Sequence, residues 1–150
     1  MTYVISSDPS WIDVDVVWRF LSEESYWAHG VPKEIVTKSL AHSIPFGVYQ
    51  IGPQNIRKQV GFARVASDRA TFAYLADVFV LPEHRGQGLS KRLMGAVMAH
   101  PELQGLRRWL LFTVDAHTLY EQFGFARIAH PERIMEIRRL YLQETPARPA

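Results

Sequence analysis

Apolar positions along the chain recur with two different periods, and these periods divide it into strands and helices. Short apolar or alternating runs bounded by turn residues predict strands over residues 3–6, 46–51, 60–66, 71–80 and 109–114. Apolar residues at helical spacing predict helices over residues 13–24, 32–42, 88–99 and 116–122. Asp13 is the expected N-cap of the first helix, and Pro32 is expected to start the second.

The order of these elements predicts one mixed sheet. Tight turns join the strands at 46–51, 60–66 and 71–80, which indicates an antiparallel meander. The next strand follows a crossover helix, so the strands at 71–80 and 109–114 should be parallel. Residues 134–138 could return as a final strand. We therefore predict an α/β (α+β) fold, a single domain with a mixed, mostly antiparallel sheet, one parallel strand pair and flanking helices, over residues 1–143. Residues 144–150, rich in Pro and Ala, are expected to be disordered.

Composition narrows the class of protein. The chain has 150 residues, of which 47% are hydrophobic and 21% charged, as is usual for one soluble globular domain. Its formal net charge is +2 and it has no long Lys/Arg run, so neither a nucleic acid nor a membrane surface is an expected partner. It has no cysteine, and its histidines fit no metal-ligand spacing, so no metal site is expected. With no membrane-length apolar stretch and no signal peptide, the expected location is cytoplasmic.

The segment from Asp77 to Ser90 carries the strongest functional signal. A buried strand ends at Pro82, a loop with Gly86 and Gly88 follows, and a helix then begins. Glycines without a Cβ let the backbone approach a ligand closely, and a helix N-terminus attracts anions. Three cations crowd this helix start, where the helix dipole disfavours them: Arg85, Lys91 and Arg92. A phosphate compound would explain their placement, and a solvated basic turn is the alternative.

Two motifs in this order resemble a known family. Residues 85–90 resemble the pyrophosphate loop of the GNAT superfamily of acyl-CoA N-acyltransferases, with a familiar lead-in at residues 80–84. Residues 119–125 resemble the Leu-Tyr-x-x-x-Gly-Phe signature that follows it in that superfamily. Ser90 departs from the usual Gly or Ala but is also small. The resemblance implies acetyl-CoA as co-substrate, bound along the strand at 76–81 and on the loop; the residues implied are Val78, Phe79, Val80, Arg85, Gly86, Gln87, Gly88, Leu89 and Ser90.

Two side chains could carry out aminolysis of a thioester. Asp77 interrupts an apolar run, and a carboxylate there could hold an ammonium group and take its proton. A structural aspartate bonded to the backbone or to an arginine is the alternative. Tyr120 could protonate the departing thiolate, which is the role that the resemblance implies, or it could simply pack against Phe123 and Phe125. The oxyanion would be met by backbone N–H groups near Val78 and Phe79.

Tyr26 and Trp27 lie in an aromatic linker between the first two helices, and the resemblance places this linker over the acceptor site. A core plug is the alternative for them. Together these features predict an acetyl-CoA-dependent N-acetyltransferase that acts on a primary amine by direct attack, with a non-catalytic acyl-CoA sensor or a nucleotide-binding regulatory domain as alternatives. The acceptor itself (small amine, amino acid, antibiotic or protein N-terminus) is not identified by the sequence. A homodimer is a possibility that the resemblance suggests.

Overall fold

One five-stranded sheet organises the chain in the computed structural model, which describes residues 2–141. Its strands lie in chain order: β1 (Thr2–Ser6), β2 (Ile44–Ile51), β3 (Arg57–Ser67), β4 (Phe72–Val80) and β5 (Arg108–Leu111). The first four strands are antiparallel to their neighbours, whereas β4 and β5 are parallel. The mixed sheet predicted from the turn spacing and the crossover helix is confirmed.

Four helices flank the sheet, two before β2 and two around β5. Helix α1 (Val14–Arg19) begins at the predicted cap, where Asp13 Oδ1 accepts from the N–H groups of Asp15 and Val16. It continues into a π-helical turn (Phe20–Glu24). The others are α2 (Lys33–Ala41), α3 (Leu89–Ala99) and α4 (His117–Glu121). No helix among residues 2–141 combines the length and apolar character needed to cross a membrane.

The sheet separates two apolar cores. Alternate residues of β2, β3 and β4 pack against α3, with Phe46, Leu93 and Met94 among the most buried side chains. The opposite face packs against α1 and α2, where Phe79 of β4 stacks on Phe20 at 4.0 Å between ring centroids. A buried amide fixes α1 to the sheet: Gln59 Oε1 accepts from the N–H of Asp13 at 2.7 Å. Both faces of β4 are therefore held in place.

Two strand predictions require correction. The predicted strand at 109–114 ends at Leu111, because its pairing with β4 stops at the pair Leu75–Leu111. Beyond it, Phe112 and Val114 are 70% and 71% exposed. The predicted final strand at 134–138 pairs with no other strand within residues 2–141, and the only hydrogen bonds of residues 126–141 are local ones. The predicted disordered tail at 144–150 lies outside the described residues.

A buried tyrosine on β2 lies directly over a glycine. Tyr49 is 1% exposed, its ring is covered by Trp11, and a Cβ at Gly47 would collide with its ring and hydroxyl. Within residues 2–141 the Tyr49 hydroxyl is buried and has no hydrogen-bond partner. Burial also raises the pKa of this phenol. The hydroxyl therefore keeps its desolvation cost without a compensating bond.

Tyr49→Phe should stabilise the protein by about 1 kcal/mol, because it removes a polar group that is buried without a partner. The matched control is Tyr3→Phe. The Tyr3 hydroxyl is bonded to His84 Nδ1 at 2.8 Å, so its loss should lower the free energy of unfolding by about 1 kcal/mol. Denaturant unfolding of the three proteins measures both changes. A Tyr49→Phe variant destabilised as much as the control would show that the hydroxyl is satisfied.

Candidate active site

Asp77 lies in a β-bulge of β4. Phe79 pairs with Phe62 and Ala76 pairs with Arg64, so two residues of β4 oppose only Ala63 of β3. Asp77 adopts a positive φ of 58°, a conformation that aspartate tolerates better than most side chains. The bulge turns its carboxylate toward the face that carries α1 and α2, where it meets residues from two other parts of the chain.

Both carboxylate oxygens of Asp77 are held by hydrogen bonds. Trp27 Nε1 donates to Oδ1 and Arg64 Nε donates to Oδ2, each at 2.9 Å. Arg64 also donates from Nη1 to Ser43 Oγ, at the turn between α2 and β2. The Asp77 side chain is 12% exposed, so the ion pair is largely shielded from water. Because an ionised carboxylate has about four lone-pair positions, a further donor can still bind it.

The loop before α3 presents free backbone N–H groups to solvent. Gly86 and Gly88 have φ values of 79° and 74°, in the region that favours glycine, and Gly88 is the N-cap of α3. The N–H groups from Gly86 to Ser90 donate to no acceptor among residues 2–141 outside the helix, whereas the N–H of Arg85 donates to the Pro82 carbonyl. The first turn of α3 contains no acidic residue. This arrangement suits a phosphate group.

Tyr3 of β1 fixes the conformation of this loop. Its hydroxyl bonds to the buried His84 and accepts from Gln87 Nε2 at 3.2 Å. Its carbonyl accepts from Arg92 Nη2 at 3.0 Å. Arg85 turns back in a similar way, since its Nε donates to the Val80 carbonyl at 2.8 Å. Two of the three cations at this helix start therefore have partners in the fold.

A gap opens between β4 and β5 next to the bulge. The parallel pairing covers only Phe72 to Leu75, and within residues 2–141 no backbone hydrogen bond joins residues 76–80 to the chain after Leu111. The side of β4 that faces β5 therefore offers unpaired N–H and C=O groups just beyond Leu75. The free N–H groups of the α3 loop lie at one end of this stretch, and Asp77 lies at the other.

Tyr120 lies in α4, the helix that follows β5 in the chain. Its side chain is 8% exposed and contacts the ring of Phe125 edge-on at 6.0 Å. Burial raises the pKa of Tyr120 to about 12, with smaller contributions from Tyr26 and Asp115. The phenol is therefore neutral over the ordinary pH range and can act only as a proton donor or a hydrogen-bonding group there.

Tyr26 connects the aromatic linker to the chain beyond β5. Its hydroxyl accepts from the Val114 N–H at 3.3 Å, and its ring lies edge-on to Trp27 at 5.0 Å. Both side chains are exposed, Tyr26 by 59% and Trp27 by 38%. The linker thus spans from Asp77 on β4 to Val114 past β5, over the gap.

Comparison with known proteins identifies the family of the chain. The acetyltransferase (GNAT) domain family matches residues 46–127, more than half of the chain. The chain belongs to the GNAT acetyltransferase family. This GNAT chain is 35% identical, over 79% of its length and 75% of the relative's, to an inferred acetyltransferase from Gibberella zeae.

Solved structures share the fold of this GNAT chain. A crystal structure of an inferred GNAT acetyltransferase from Xanthomonas campestris pv. campestris is 49% identical, with a TM-score of 0.88, and covers 97% of this chain and 99% of its own. A protein from Mycobacterium tuberculosis solved in complex with CoA has a TM-score of 0.65 at 16% identity, over 83% of this chain and 72% of its own. The latter likeness concerns the fold alone.

Most site residues predicted for this GNAT domain fall around the gap. Asp77, Trp27 and Tyr26 are joined through direct contacts, and the glycine loop borders the same stretch of β4. Leu89 is the exception among the predicted loop residues, because its side chain is 3% exposed and packs in the core, which leaves only its backbone for a ligand. The Gln87 side chain likewise donates to the Tyr3 hydroxyl, although the Gln87 N–H is free.

Sequence reasoning missed Arg64 and Ser43. A signal for Arg64 was present, because it is the one charged residue in the apolar run of β3, as Asp77 is in β4. Opposite charges in two buried neighbouring strands suggest an ion pair, since each is costly to bury alone. Ser43 had no comparable signal, because it lies at a turn where serine is common.

Proposed function

We propose that this protein is an acetyl-CoA-dependent N-acetyltransferase that transfers the acetyl group directly to a primary amine. The observation that carries the proposal is the side of β4 at residues 76–80 that is paired with β3 but not with β5, and that leads from the free N–H groups of the α3 loop to the carboxylate of Asp77. Such a stretch suits an extended molecule with a phosphate at one end and amide groups along its length, as acetyl-CoA has.

The pyrophosphate would bind to the free N–H groups of Gly86 to Ser90, at the positive end of the α3 dipole. The pantetheine amides would pair with the open side of β4 around Val78 to Val80, much as an added strand pairs with a sheet edge. The thioester carbonyl would then lie near the bulge, where backbone N–H groups of Val78 and Phe79 could donate hydrogen bonds to the developing oxyanion.

Asp77 would receive the amine. An alkylammonium group has a reference pKa near 10.4, so it must lose a proton before it can attack. The free lone pairs of Asp77 would hold the ammonium and take this proton, directly or through water, while Arg64 and Trp27 keep the carboxylate in place. The amine nitrogen then attacks the thioester carbon, its second proton leaves to water, and the C–S bond breaks as the carbonyl reforms.

Tyr120 would protonate the leaving thiolate. The reaction consumes one ammonium group and one thioester and yields an amide, a thiol and one proton, so the tyrosinate must be reprotonated from solvent before the next turnover. A thiolate is a tolerable leaving group, with a reference pKa near 8.5 for cysteine, so the contribution of Tyr120 should be moderate. Tyr26 and Trp27 would line the acceptor side.

Gly88→Glu should weaken acetyl-CoA binding by about tenfold or more, because it puts an anion and a Cβ at the left-handed N-cap of α3. Gly95→Glu is the matched control, since Gly95 lies exposed in the middle of the same helix with open space around it. Calorimetric titration with acetyl-CoA measures both. Equal affinity of the two variants for acetyl-CoA would show that the loop is not part of the binding site.

Asp77→Asn should lower turnover by about 10²–10⁴-fold while acetyl-CoA affinity stays nearly unchanged, because it removes the base and keeps the shape. High pH should partly restore the rate by supplying neutral amine. Asparagine also tolerates the positive φ of this position. Thiol release with a panel of amines gives the rate.

Trp27→Phe is the control for Asp77→Asn, because it removes one hydrogen bond to Asp77 and leaves the charge. If Asp77 is only structural, both variants should lose similar activity and stability, and neither should regain activity at high pH. Acetyl-CoA binding without turnover of any amine by the wild type would instead favour an acyl-CoA sensor.

Tyr120→Phe should lower the rate by about 10²-fold, the low end for general acid catalysis, and high pH should not restore it. Its folding stability should change by less than about 1 kcal/mol, since phenylalanine keeps the ring that packs against Phe125. Tyr26→Phe is the control, because it removes a phenol hydroxyl from the exposed linker and leaves Tyr120 unchanged.

The pH dependence of the wild-type rate also tests Tyr120 as the general acid. Because burial raises the pKa of Tyr120 to about 12, the acid stays protonated as pH rises, so the wild-type rate should climb with amine deprotonation and show no tyrosine-dependent fall up to about pH 10. A fully active Tyr120→Phe variant would reduce Tyr120 to a packing residue.

A further inference from the structure

Four aromatic side chains, here called the aromatic wall, form a chain of contacts beside Asp77: Tyr26, Trp27, Tyr74 and Phe112. Three of them, Tyr26, Trp27 and Phe112, are 59%, 38% and 70% exposed. A single exposed ring is ordinary, whereas several neighbouring rings beside a largely buried charge mark a binding surface. The aromatic wall is therefore a candidate for the surface that recognises the acceptor.

The contacts of the aromatic wall begin and end on β4. Trp27 donates to Asp77 and lies edge-on to Tyr26, whose hydroxyl accepts from a backbone N–H two residues after Phe112. Phe112 in turn lies edge-on to Tyr74, at 5.9 Å between ring centroids. Tyr74 belongs to β4, three residues before Asp77. The wall therefore borders Asp77 with rings from the linker, from the chain after β5 and from β4 itself.

Arg64 and Tyr74 lie on the same face of the sheet as the Asp77 carboxylate. Arg64 pairs with Ala76, and Tyr74 is two residues from Ala76, so the alternation of side chains along a strand puts both on one face. Burial raises the pKa of the Tyr74 phenol, and the charges of Asp77 and Arg64 also act on it, which agrees with this placement. The base of the region therefore holds one ion pair bordered by aromatic rings.

The charges of this region favour a ligand with a single ammonium group. Asp77 and Arg64 form an ion pair whose charges sum to zero, and the carboxylate keeps free lone pairs beyond the bonds from Arg64 and Trp27. Asp115 is a further carboxylate, near Tyr120, but it is exposed and therefore screened by water. A second cation on the same ligand would meet the positive charge of Arg64, so one positive charge suits the region better than two.

We infer that the acceptor is an arylalkyl primary amine, which carries one ammonium group on a short apolar chain that ends in an aromatic ring. The ammonium binds Asp77, and the ring packs against Tyr26 and Phe112, which buries exposed apolar surface on both molecules. Acetylation removes the positive charge, so the neutral amide product no longer pairs with Asp77 and can leave. This inference rests on the proposed N-acetyl transfer and narrows its acceptor to one chemical class.

The first test compares acetylation of 3-phenylpropylamine, propylamine and 1,3-diaminopropane at saturating acetyl-CoA. The three amines share a propyl chain and differ at its far end, which carries a ring, a hydrogen or a second ammonium group. We expect kcat/KM for 3-phenylpropylamine to exceed that for each of the others by at least about 30-fold, because only its ring buries apolar surface against the aromatic wall. Equal kcat/KM values, or a preference for the diamine, would overturn the inference and leave the proposed reaction intact.

The second test asks whether Phe112 contributes to this preference. In Phe112→Ala, the ratio of kcat/KM for 3-phenylpropylamine to that for propylamine should fall by at least about tenfold, mainly through KM, because a ring contact made equally in the bound and transition states is lost. Ile56→Ala is the matched control, because Ile56 is 64% exposed on the turn between β2 and β3, and its ratio should equal that of the wild type. An unchanged ratio in Phe112→Ala would contradict recognition by the aromatic wall.

Calorimetry separates a failure of this inference from a failure of the proposed reaction. Protein loaded with CoA is titrated with 3-phenylpropylamine and with propylamine, so that binding is measured without turnover. We expect the aromatic amine to bind at least about 30-fold more tightly. Such binding without acetylation of any amine would support the aromatic amine site and contradict the proposed reaction. Acetylation of both amines with equal affinity would contradict the aromatic acceptor alone.

Discussion

One extra residue in β4 determines the geometry of the candidate site. The bulge at Asp77 and Val78 changes the pairing register with β3, and a bulge bends its strand and increases its twist. The pairing of β4 with β5 ends at Leu75, two positions before Asp77, and the open backbone at 76–80 follows. The same irregularity turns a charged side chain out of a buried strand toward Arg64 and Trp27. The open side of β4 and the position of the Asp77 carboxylate are thus both associated with the bulge.

Aromatic packing on the face of the sheet that carries α1 and α2 supports the bulge. Phe79, directly after the bulge, lies between two aromatic side chains: Phe20, from the π-helical turn after α1, is stacked on it, and Phe62 of β3 is tilted against it. Phe20 in turn contacts Trp27 at 6.4 Å, so one apolar stack supports the indole that bonds to Asp77. The buried ion pair is costly by itself, and its orientation depends on this support.

The regular parts of the fold could be predicted from the sequence because each has a local signal. The apolar periods marked the strands and helices, Asp13 marked a helix start, and the crossover helix fixed the parallel pair. The glycine loop was found for the same reason, since a left-handed backbone at Gly86 and Gly88 restricts the residue type.

The irregular parts could not be predicted because they depend on partners distant in sequence. A positive φ at Asp77 has no pattern of its own, and the bond from Arg92 to Tyr3 joins residues that only the fold brings together. Residues 134–138 have the composition of a strand, but a strand also needs an edge, and no ladder to one exists within residues 2–141. The assignment of Asp77, Tyr120 and the loop to chemistry stays a proposal for its experiments to decide.

The ring of Tyr49 above Gly47 makes these two positions a single evolutionary unit. Any larger residue at 47 collides with the ring as well as the hydroxyl, so phenylalanine at 49 would not relieve it. Change at this pair must begin at 49, with a smaller side chain that leaves a cavity, and only then can 47 enlarge to fill it. The reverse order passes through an overpacked intermediate. Homologous chains should therefore vary at these two positions together, in one permitted order.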